Sequence, residues 1–303
     1  MNTPGCTLCR AAIRALSMTA GTMLRSASLG FAAMGAATMG AATMGAAAVG
    51  VATVGVATMG AATPAWADPR PFTYTYDLYP EGKGRMEFEQ WATWRQGPRS
   101  GPGFDRLELR EELEFGIADN FDLSVYLPSW SVEDSQSGHT TKLDSIGVEG
   151  IVYLSSPVTA PLGVGLYFEA AGGPDTISLE PKLILQKDVG TWTFAYNLVA
   201  ETEIAREGDE NEIEGAIGQT LGVSYAASPT WQLGVEAFVE SVYAGWHRYQ
   251  GSTAYAGPAA SFRPGTIGAK GPEVWATLTP TWQLTSHNHE PDFQVRLIAG
   301  IEF

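Results

Sequence analysis

Charged side chains recur at every second residue in several stretches of the chain. The clearest run contains Arg106, Glu108, Arg110, Glu112 and Glu114. Residues of one parity in an extended strand project from the same face, so this run would place its charges on one surface. Carboxylates outnumber bases in such runs, and a carboxylate-rich surface around water concentrates cations and repels anions. The candidate residues are Glu108, Arg110, Glu112, Glu114, Glu149, Glu169, Glu180, Lys182, Glu201, Glu236, Glu240 and Arg296.

Catalytic chemistry has little support in the sequence. A hydrolase or acyltransferase needs a nucleophile, a base and an orienting acid close together. His139 and His247 fall in predicted loops, and Ser137 beside His139 on such a loop does not make a triad. The chain contains no G-x-S-x-G sequence. We therefore predict no enzymatic activity and no cofactor.

Two polar loops carry groups that coordinate metals in other proteins. His287 and His289, followed by Glu290, offer imidazole and carboxylate ligands to a transition metal. Residues 209–212, Asp-Glu-Asn-Glu, offer oxygens suited to calcium or magnesium but lack the spacing of an EF-hand. Exposed polar loops commonly carry such residues without a ligand, so we predict no metal and keep His287 and His289 as the candidates. The net charge of −15 argues against nucleic acid as a partner.

The elements that must position these charges are predicted to be strands. Phe121, Leu123 and Val125 alternate with Asp122 and Ser124, and similar alternation recurs along the chain in runs of about ten to fourteen residues. No run after residue 67 approaches the length of about 18 apolar residues that a membrane helix needs. The twelve working strands are 84–96, 103–117, 121–131, 143–155, 162–172, 175–187, 191–203, 212–226, 231–243, 254–263, 272–284 and 292–303.

The joints between the predicted strands are of two kinds. Brief turns are expected at 118–120, 187–190 and 227–230, and longer polar connections at the remaining joints. Brief turns at one end and long loops at the other are typical of an outer-membrane β-barrel. Aromatic side chains near strand ends fit the two interfacial girdles of such a barrel. The longer connections are 132–142, 204–212, 244–255 and 286–292, and the aromatics are Trp94, Trp130, Trp192, Trp231, Trp246, Trp275 and Phe303.

The last strand has an apolar face that needs a cover. Its apolar parity contains Phe293, Val295, Leu297, Ile301 and Phe303, and only Ile298 breaks the alternation. An exposed, flat, apolar strand invites aggregation unless it is paired or covered. Closure of a barrel pairs this strand with the first and turns its apolar face to lipid. The competing fold is a soluble β-sandwich, whose strands average about 5–6 residues.

We therefore predict an all-β fold, a transmembrane antiparallel up-and-down barrel of about twelve strands, with ten and fourteen as the bounds. Pro280 departs from this pattern because proline cannot donate to a strand ladder. An even strand number places both termini on the periplasmic side.

The first 67 residues look like a secretory signal peptide with a low-complexity pentapeptide repeat. Three arginines precede a long uncharged apolar stretch, which ends at Ala65-Trp66-Ala67. A positive start, an apolar middle and an A-x-A site are the parts of such a peptide, so we predict cleavage after Ala67. An uncleaved membrane anchor is the alternative, and initiation at Met18 or Met23 fits either. Both cysteines, Cys6 and Cys9, lie in this leader.

The C-terminal alternating strand ending in Phe303 resembles the assembly signal of outer-membrane proteins. The stretch EFGIADNFDLSVYLP, residues 114–128, resembles a strand–turn–strand unit of uncharacterised barrels. Those barrels are related to proposed outer-membrane transporters of aromatic (phenol) degradation pathways. The resemblance implies recognition of Phe293, Val295, Leu297, Ile301 and Phe303 by the barrel-assembly machinery, and it implies an organic solute.

The predicted organisation is a leader at 1–67, a periplasmic segment at 68–83 and an outer-membrane barrel at 84–303. The predicted function is a channel for small solutes with an acidic lumen, in contact with outer-membrane lipid. The alternative is a non-conducting barrel in which Arg106, Arg110, Lys182 and Arg296 pair with the glutamates across strands and fill the interior. An outer-membrane lipid-modifying enzyme is the third option.

Overall fold

The alternating stretches fold into strands throughout. The computed structural model describes residues 70–98, 103–207, 210–266, 271–286 and 290–303, which form fourteen strands. The strands are β1 Met86–Gln96, β2 Phe104–Ala118, β3 Phe121–Tyr126, β4 Trp130–Ser135, β5 Gly138–Leu143, β6 Ile146–Ser155, β7 Gly163–Gly172, β8 Thr176–Val189, β9 Trp192–Glu207, β10 Glu210–Ala226, β11 Trp231–Ala244, β12 Arg248–Thr266, β13 Glu273–Gln283 and β14 Phe293–Glu302. No helix among these residues has the length and hydropathy to cross a membrane.

The sheet closes on itself. β1 pairs antiparallel with β14 on one side and with β2 on the other. β2 pairs with β3 along its second half and with β4 along its first, so β3 and β4 are two parts of one wall strand. β5 and β6 are likewise two parts of the next wall strand, interrupted at 144–145. Counted this way, the described strands make a closed barrel with twelve wall strands, as predicted, and the sandwich is excluded.

A proline accounts for the interruption between β3 and β4. Pro128 lacks the N–H that a continuous ladder would need. The flanking amides keep partners, since Leu127 N–H donates to the Glu111 carbonyl at 2.9 Å and Ser129 N–H to the Ser145 carbonyl at 2.8 Å. The strand is therefore interrupted at 127–129, while the amides of Leu127 and Ser129 keep their hydrogen bonds.

The outer surface of the barrel is apolar. Leu166, Phe168, Leu233 and Val235 are between 49% and 57% exposed and project away from the interior. Phe303, 59% exposed, lies on the same outer face as Leu297 of the last strand. Ile298, which breaks the alternation, is fully buried inside the barrel against Trp91 and Trp275. The broken alternation therefore supplies an apolar contact within the lumen.

Pro280 is accommodated within β13. It pairs in register with Val295 of β14, whereas the β12–β13 register has a gap between Ala256 and Ala260. Gly257 lies in that gap, and a Cβ there would overlap the Pro280 carbonyl oxygen. The strand expected at 272–284 therefore forms despite its proline.

Two expectations were wrong. Most of 132–142, 204–212 and 244–255 was expected as long loops, but β4–β5, β9–β10 and β11–β12 continue as paired hairpins into these stretches. Trp275 was assigned to a girdle, but it points inward and its indole N–H donates to Glu87 at 2.5 Å. The hairpins form because polar residues can pair as strands beyond the lipid. Trp275 points inward because its indole N–H donates to the Glu87 carboxylate.

Several predicted positions lie outside the described residues. They include the whole leader at 1–67 with its cleavage residues Ala65 and Ala67, Asp209 in the 209–212 loop, and the metal candidates His287 and His289.

Candidate functional site

The barrel interior contains its own N-terminal chain. Residues 70–85, here called the luminal segment, precede β1 and cross the lumen without forming a helix or a strand. Phe72 and Leu78 are 0% and 1% exposed, and the side chains around the segment come from wall strands. The expectation of a periplasmic segment at 68–83 does not describe these residues, because their backbone N–H groups find acceptors inside the barrel.

Glu236 of β11 is the main anchor of the luminal segment. Its carboxylate accepts backbone hydrogen bonds from Thr73 at 2.9 Å, Tyr74 at 2.8 Å and Thr75 at 2.9 Å. The hydroxyls of Thr73 and Thr279 also donate to it, at 3.3 Å and 2.7 Å. A carboxylate that is 1% exposed is tolerated here because donors surround it.

Three further wall side chains capture the backbone beyond Glu236. Asn197 accepts from Tyr76 N–H at 2.7 Å and donates back to the Tyr76 carbonyl at 3.0 Å. Gln186 accepts from Leu78 N–H at 2.6 Å, and Asp122 accepts from Glu81 N–H at 3.0 Å. Four wall side chains therefore bind the backbone of the segment, at residues 73–75, 76, 78 and 81.

Glycines in the wall make room for the segment. A Cβ on Gly222 would lie 2.7 Å from the Phe72 ring, and a Cβ on Gly165 would lie 2.4 Å from Leu78. Close approach of this kind is a use of glycine that no other residue can supply. Phe72 and Leu78 fit into the spaces that Gly222 and Gly165 leave, here called sockets. Burying each side chain contributes about 1.5–3 kcal/mol of stability.

Cations and aromatic rings alternate in the packed part of the lumen. The Arg110 guanidinium lies 4.0 Å from the ring centroids of Trp91 and Tyr126. Lys182 Nζ lies 3.7 Å from the Tyr76 centroid, and Arg296 Cζ lies 4.3 Å from that of Tyr74. Such stacking holds desolvated cations. Arg110 and Lys182 therefore contact rings as well as carboxylates. Arg296 contacts rings and donates to the Thr93 hydroxyl at 3.0 Å and to the Thr73 carbonyl at 3.2 Å.

The strand register aligns the glutamates in one row around the wall. Directly paired positions on eight neighbouring strands carry seven glutamates and one serine. Like charges facing each other across strands repel, so each needs a compensating partner or water. The row, here called the carboxylate row, is Glu273, Glu302, Glu87, Glu114, Ser124, Glu149, Glu169 and Glu180.

Hydrogen-bond donors compensate most of the carboxylate row. Arg263 bridges Glu273 at 2.7 Å and Glu302 at 2.9 Å. Tyr167 donates to Glu169 at 2.5 Å, and Lys182 pairs with Glu180 at 3.0 Å. The phenol groups of Tyr126 and Tyr76 both donate to Glu149.

The interior has a packed part and an open part. Glu89, Glu112, Glu149 and Glu236 are at most 2% exposed where the segment lies. Glu203, Glu214 and Glu240 are exposed although they have the inward parity, because they lie toward the rim opposite Phe303. The twelve predicted lining residues all fall on the inward parity, and Glu108, Arg110, Glu169, Glu180, Glu201 and Arg296 are partly buried.

Two acids of the luminal segment are poised to titrate near neutral pH. Burial raises the pKa of Asp77 to about 7, with Asp188 and Glu89 adding to the rise and Arg70 opposing it. Burial, Glu302 and Asp122 raise the pKa of Glu81 to about 7. Both groups lie outside the strands that form the wall.

His139 and His247, the histidines considered for catalysis, lie on different hairpins of the wall. His139 lies on the β4–β5 hairpin, where its Nδ1 is 2.8 Å from the exposed Asp134. His247 lies in the β11–β12 turn and contacts the Gly245 carbonyl. Within the described ranges, no three His, Cys, Asp or Glu side chains are arranged to hold a metal ion.

Sequence reasoning missed the residues that recognise the segment. Asn197, Gln186 and Asp122 have the inward parity, so their orientation was predictable. Their partner was not, because Gln186 binds a backbone 108 residues earlier in the chain. Gly222 and Gly165, at inward positions of otherwise regular strands, were the visible signal of a close approach.

The closed twelve-strand wall, its apolar outer face and its polar interior define the architecture of an outer-membrane β-barrel. The chain belongs to the family of unknown function DUF6662, whose profile matches residues 64–295. No curated protein matches the chain.

One solved outer-membrane barrel shares this fold, and two porins show a weaker likeness. The COG4313 outer membrane channel from Pseudomonas putida F1 is 13% identical with a TM-score of 0.54, and the match covers 78% of this chain and 100% of that one. The NanC porin is 9% identical with a TM-score of 0.47, covering 71% of this chain and 98% of that one. The KdgM porin in complex with disordered oligogalacturonate is 13% identical with a TM-score of 0.36, covering 72% and 98%.

Proposed function

We propose that this protein is an outer-membrane channel for small polar solutes, that it prefers cations to anions, and that the luminal segment holds it closed in the conformation described here. The observation that carries the proposal is the carboxylate excess on the inward face, above all the exposed Glu203, Glu214 and Glu240. Carboxylates in a wet lumen concentrate cations and exclude anions.

Opening requires the luminal segment to move. Its hydrogen bonds to Glu236, Asn197 and Gln186 and its sockets at Gly222 and Gly165 span the interior of the wall. The segment is joined to the wall through β1 alone among the described elements, so it can leave the lumen without breaking the barrel. Its displacement would join the open part of the interior to the opposite rim.

The membrane placement follows from the outer face. An apolar exterior with tryptophans such as Trp192, Trp231 and Trp282 suits outer-membrane lipid. The C-terminal strand, ending in Phe303, would be the part recognised by the barrel-assembly machinery. Export would use the leader at 1–67 and cleavage after Ala67.

Conductance in planar bilayers tests the proposal. The full chain purified from outer membranes should show rare openings in KCl, and removal of residues 70–79 should raise the mean conductance at least tenfold. The reversal potential in a salt gradient should indicate cation preference. Replacing Glu203, Glu214 and Glu240 with glutamine should reduce that preference without changing the fold, because these side chains face water.

The second candidate is a non-conducting barrel that presents its outer hairpins. The packed lumen around Glu236 and Glu149 favours it. A protein lacking residues 70–79 that forms a heat-modifiable barrel and still passes no current would establish this function and end the channel proposal.

A further inference from the structure

The guanidinium of Arg70 occupies a preformed position on the barrel wall. Its Nη1 lies 2.6 Å from Glu89 Oε1, and its Cζ lies 4.7 Å from the Trp91 ring centroid. Glu89 in turn accepts from the Trp91 indole N–H at 2.7 Å, which fixes carboxylate and ring relative to each other. The Arg70 side chain is 13% exposed and that of Glu89 is 2% exposed. A planar cation is thus held by a carboxylate and a ring of β1, and it also lies 5.1 Å from the ring centroid of Tyr76 in its own segment.

A carboxylate oxygen on the neighbouring strand lacks a hydrogen-bond donor. Glu112 is 1% exposed, and its Oε2 accepts no hydrogen bond from any described residue. The nearby Arg110 guanidinium is 3.9 Å from that oxygen. A buried carboxylate oxygen without a donor is costly, so a further donor that reached Glu112 Oε2 would be stabilising.

A small space lies beside the Arg70 guanidinium. It is large enough for a water molecule, about 20 Å³, and Asp77, Glu89, Glu114 and Glu149 contribute to its lining together with Arg70. When the luminal segment leaves, it takes Arg70 and Asp77 with it. This part of the wall is then left with Glu89, Glu112, Glu114 and Glu149. They face Arg110 and Arg296, whose guanidinium groups lie 4.0 Å and 5.3 Å from the Trp91 centroid, and Lys182. Four carboxylates then face three cations, which leaves an acceptor for a further cation.

We propose that Glu89, Trp91 and Glu112 form a binding site for small organic cations with a guanidinium or primary ammonium head, and that Arg70 is a tethered occupant of this site. This inference rests on the proposed channel, since it names the class of solute that would compete with the segment. A carboxylate joined to an indole face is the arrangement that recognises a planar cation. The unpartnered oxygen of Glu112 supplies a second acceptor for the extra N–H groups of a free solute.

The test compares methylguanidinium with methylurea, which has a similar planar shape but no charge. Binding is measured by calorimetry on the full chain purified in detergent, with the fold checked by heat-modifiability. The Arg70→Ala variant should bind methylguanidinium at least tenfold more tightly than wild type, because the tethered competitor is gone. It should bind methylguanidinium at least tenfold more tightly than methylurea. Adding Glu89→Gln to Arg70→Ala should abolish this preference.

The matched control is Arg85→Ala. Arg85 also belongs to the luminal segment, but it pairs with Glu302 and is 41% exposed, away from Trp91. It should leave methylguanidinium binding at the wild-type level. Equal binding of the two probes by Arg70→Ala, or binding that survives Glu89→Gln, overturns the inference. Should Arg70→Ala fail to form the barrel, Arg70→Gln takes its place under the same criteria.

The binding result is separable from the channel result. KCl conductance of the same Arg70→Ala protein is recorded in planar bilayers. Cation binding without conductance would sustain the site and remove the channel. Conductance without selective binding would sustain the channel and remove the site.

Discussion

A Cβ placed on Gly222 of β10 would lie 2.7 Å from the Phe72 ring, so the wall and the luminal segment fit together only because residue 222 has no side chain. The two residues are 150 positions apart in the numbering of the chain. Their contact explains why a glycine interrupts the inward face of a strand that otherwise pairs regularly with β9 and β11.

Gly222→Ala is expected to displace the segment while leaving the barrel intact. Overlap with the Phe72 ring should cost about 1–3 kcal/mol, which is enough to raise the open fraction at least fivefold. The measurement is mean KCl conductance in planar bilayers.

The control for this substitution is Gly218→Ala on the same strand and the same face. A Cβ there would lie 3.3 Å from Val199 Cβ of the wall and would not meet the segment. If both variants behave alike, the effect comes from the wall and the socket has no special role.

Glu236→Ala is expected to release residues 73–75. It removes the acceptor of three backbone N–H groups, and each donor left unpaired in a buried site costs about 1–3 kcal/mol. The readout is maleimide labelling of Thr75→Cys, a position that is 2% exposed, with Cys6 and Cys9 replaced by serine. Labelling should accelerate at least tenfold.

Glu240→Ala serves as the comparison, because Glu240 lies on the same strand and parity but is exposed. Labelling of Thr75→Cys should stay slow in that variant. Fast labelling of Thr75→Cys in the protein that keeps Glu236 would show that Glu236 does not restrain the segment.

Acidic pH is expected to favour the closed form. An undocked Asp77 has a pKa near 3.8, whereas burial raises the pKa of the docked group to about 7. Between these values the docked segment holds a proton that the free segment loses, so docking weakens by up to about 1.4 kcal/mol per pH unit as pH rises. Glu81, whose pKa is also raised by burial, acts in the same direction.

Conductance should therefore be several-fold greater at pH 8 than at pH 5. The double variant Asp77→Asn with Glu81→Gln removes both titrating groups and should flatten the profile. A profile unchanged by the double variant would assign the pH dependence to the wall glutamates.

Phe303→Ala is expected to impair assembly in cells. The Phe303 side chain is 59% exposed on the outer face of the barrel. Its backbone N–H donates to the Met86 carbonyl at 2.8 Å, where β14 pairs with β1. If its ring serves recognition during insertion, the yield of heat-modifiable barrel in cells should fall several-fold. Refolding in detergent should be unchanged.

Trp282→Ala provides the matched outer aromatic, since Trp282 is 49% exposed on β13. It should leave the cellular yield near the wild-type level. Equal losses for both variants, or a loss of detergent refolding for Phe303→Ala, would point to lipid contact or stability and away from recognition.

The sequence was sufficient to predict the wall because lipid imposes a local rule. A strand facing lipid must alternate, and Leu166, Tyr167 and Phe168 can be assigned to outer and inner faces from their neighbours alone. Trp275 and Ile298 show where this rule stops. A tryptophan such as Trp275 can lie on either face of the wall. Ile298 is an apolar residue on the inward parity, and its role is clear only from its packing against Trp91 in the structure.

The lumen filling could not be predicted in the same way. The contacts of Glu236 with Thr73 join residues 163 positions apart, and no local pattern in residues 70–85 indicates that the wall will cover them. The predicted charges were placed on the correct parity, yet exposure separates Glu236 from Glu240 on the same strand. That difference is set by where the segment lies, which depends on side chains from five or more strands.

The carboxylate row has a geometric consequence. Glu302 is the last residue of β14 and Glu87 the second of β1, whereas Glu180 lies near the start of β8 at the opposite rim. Strands in a barrel are tilted, so a line of directly paired residues climbs as it goes around the wall. The glutamates from Glu180 to Glu273 therefore follow a helical line around the wall, from one rim to the other. A cation that bound to them in succession would rotate about the barrel axis as it crossed, and its path would be longer than the height of the barrel.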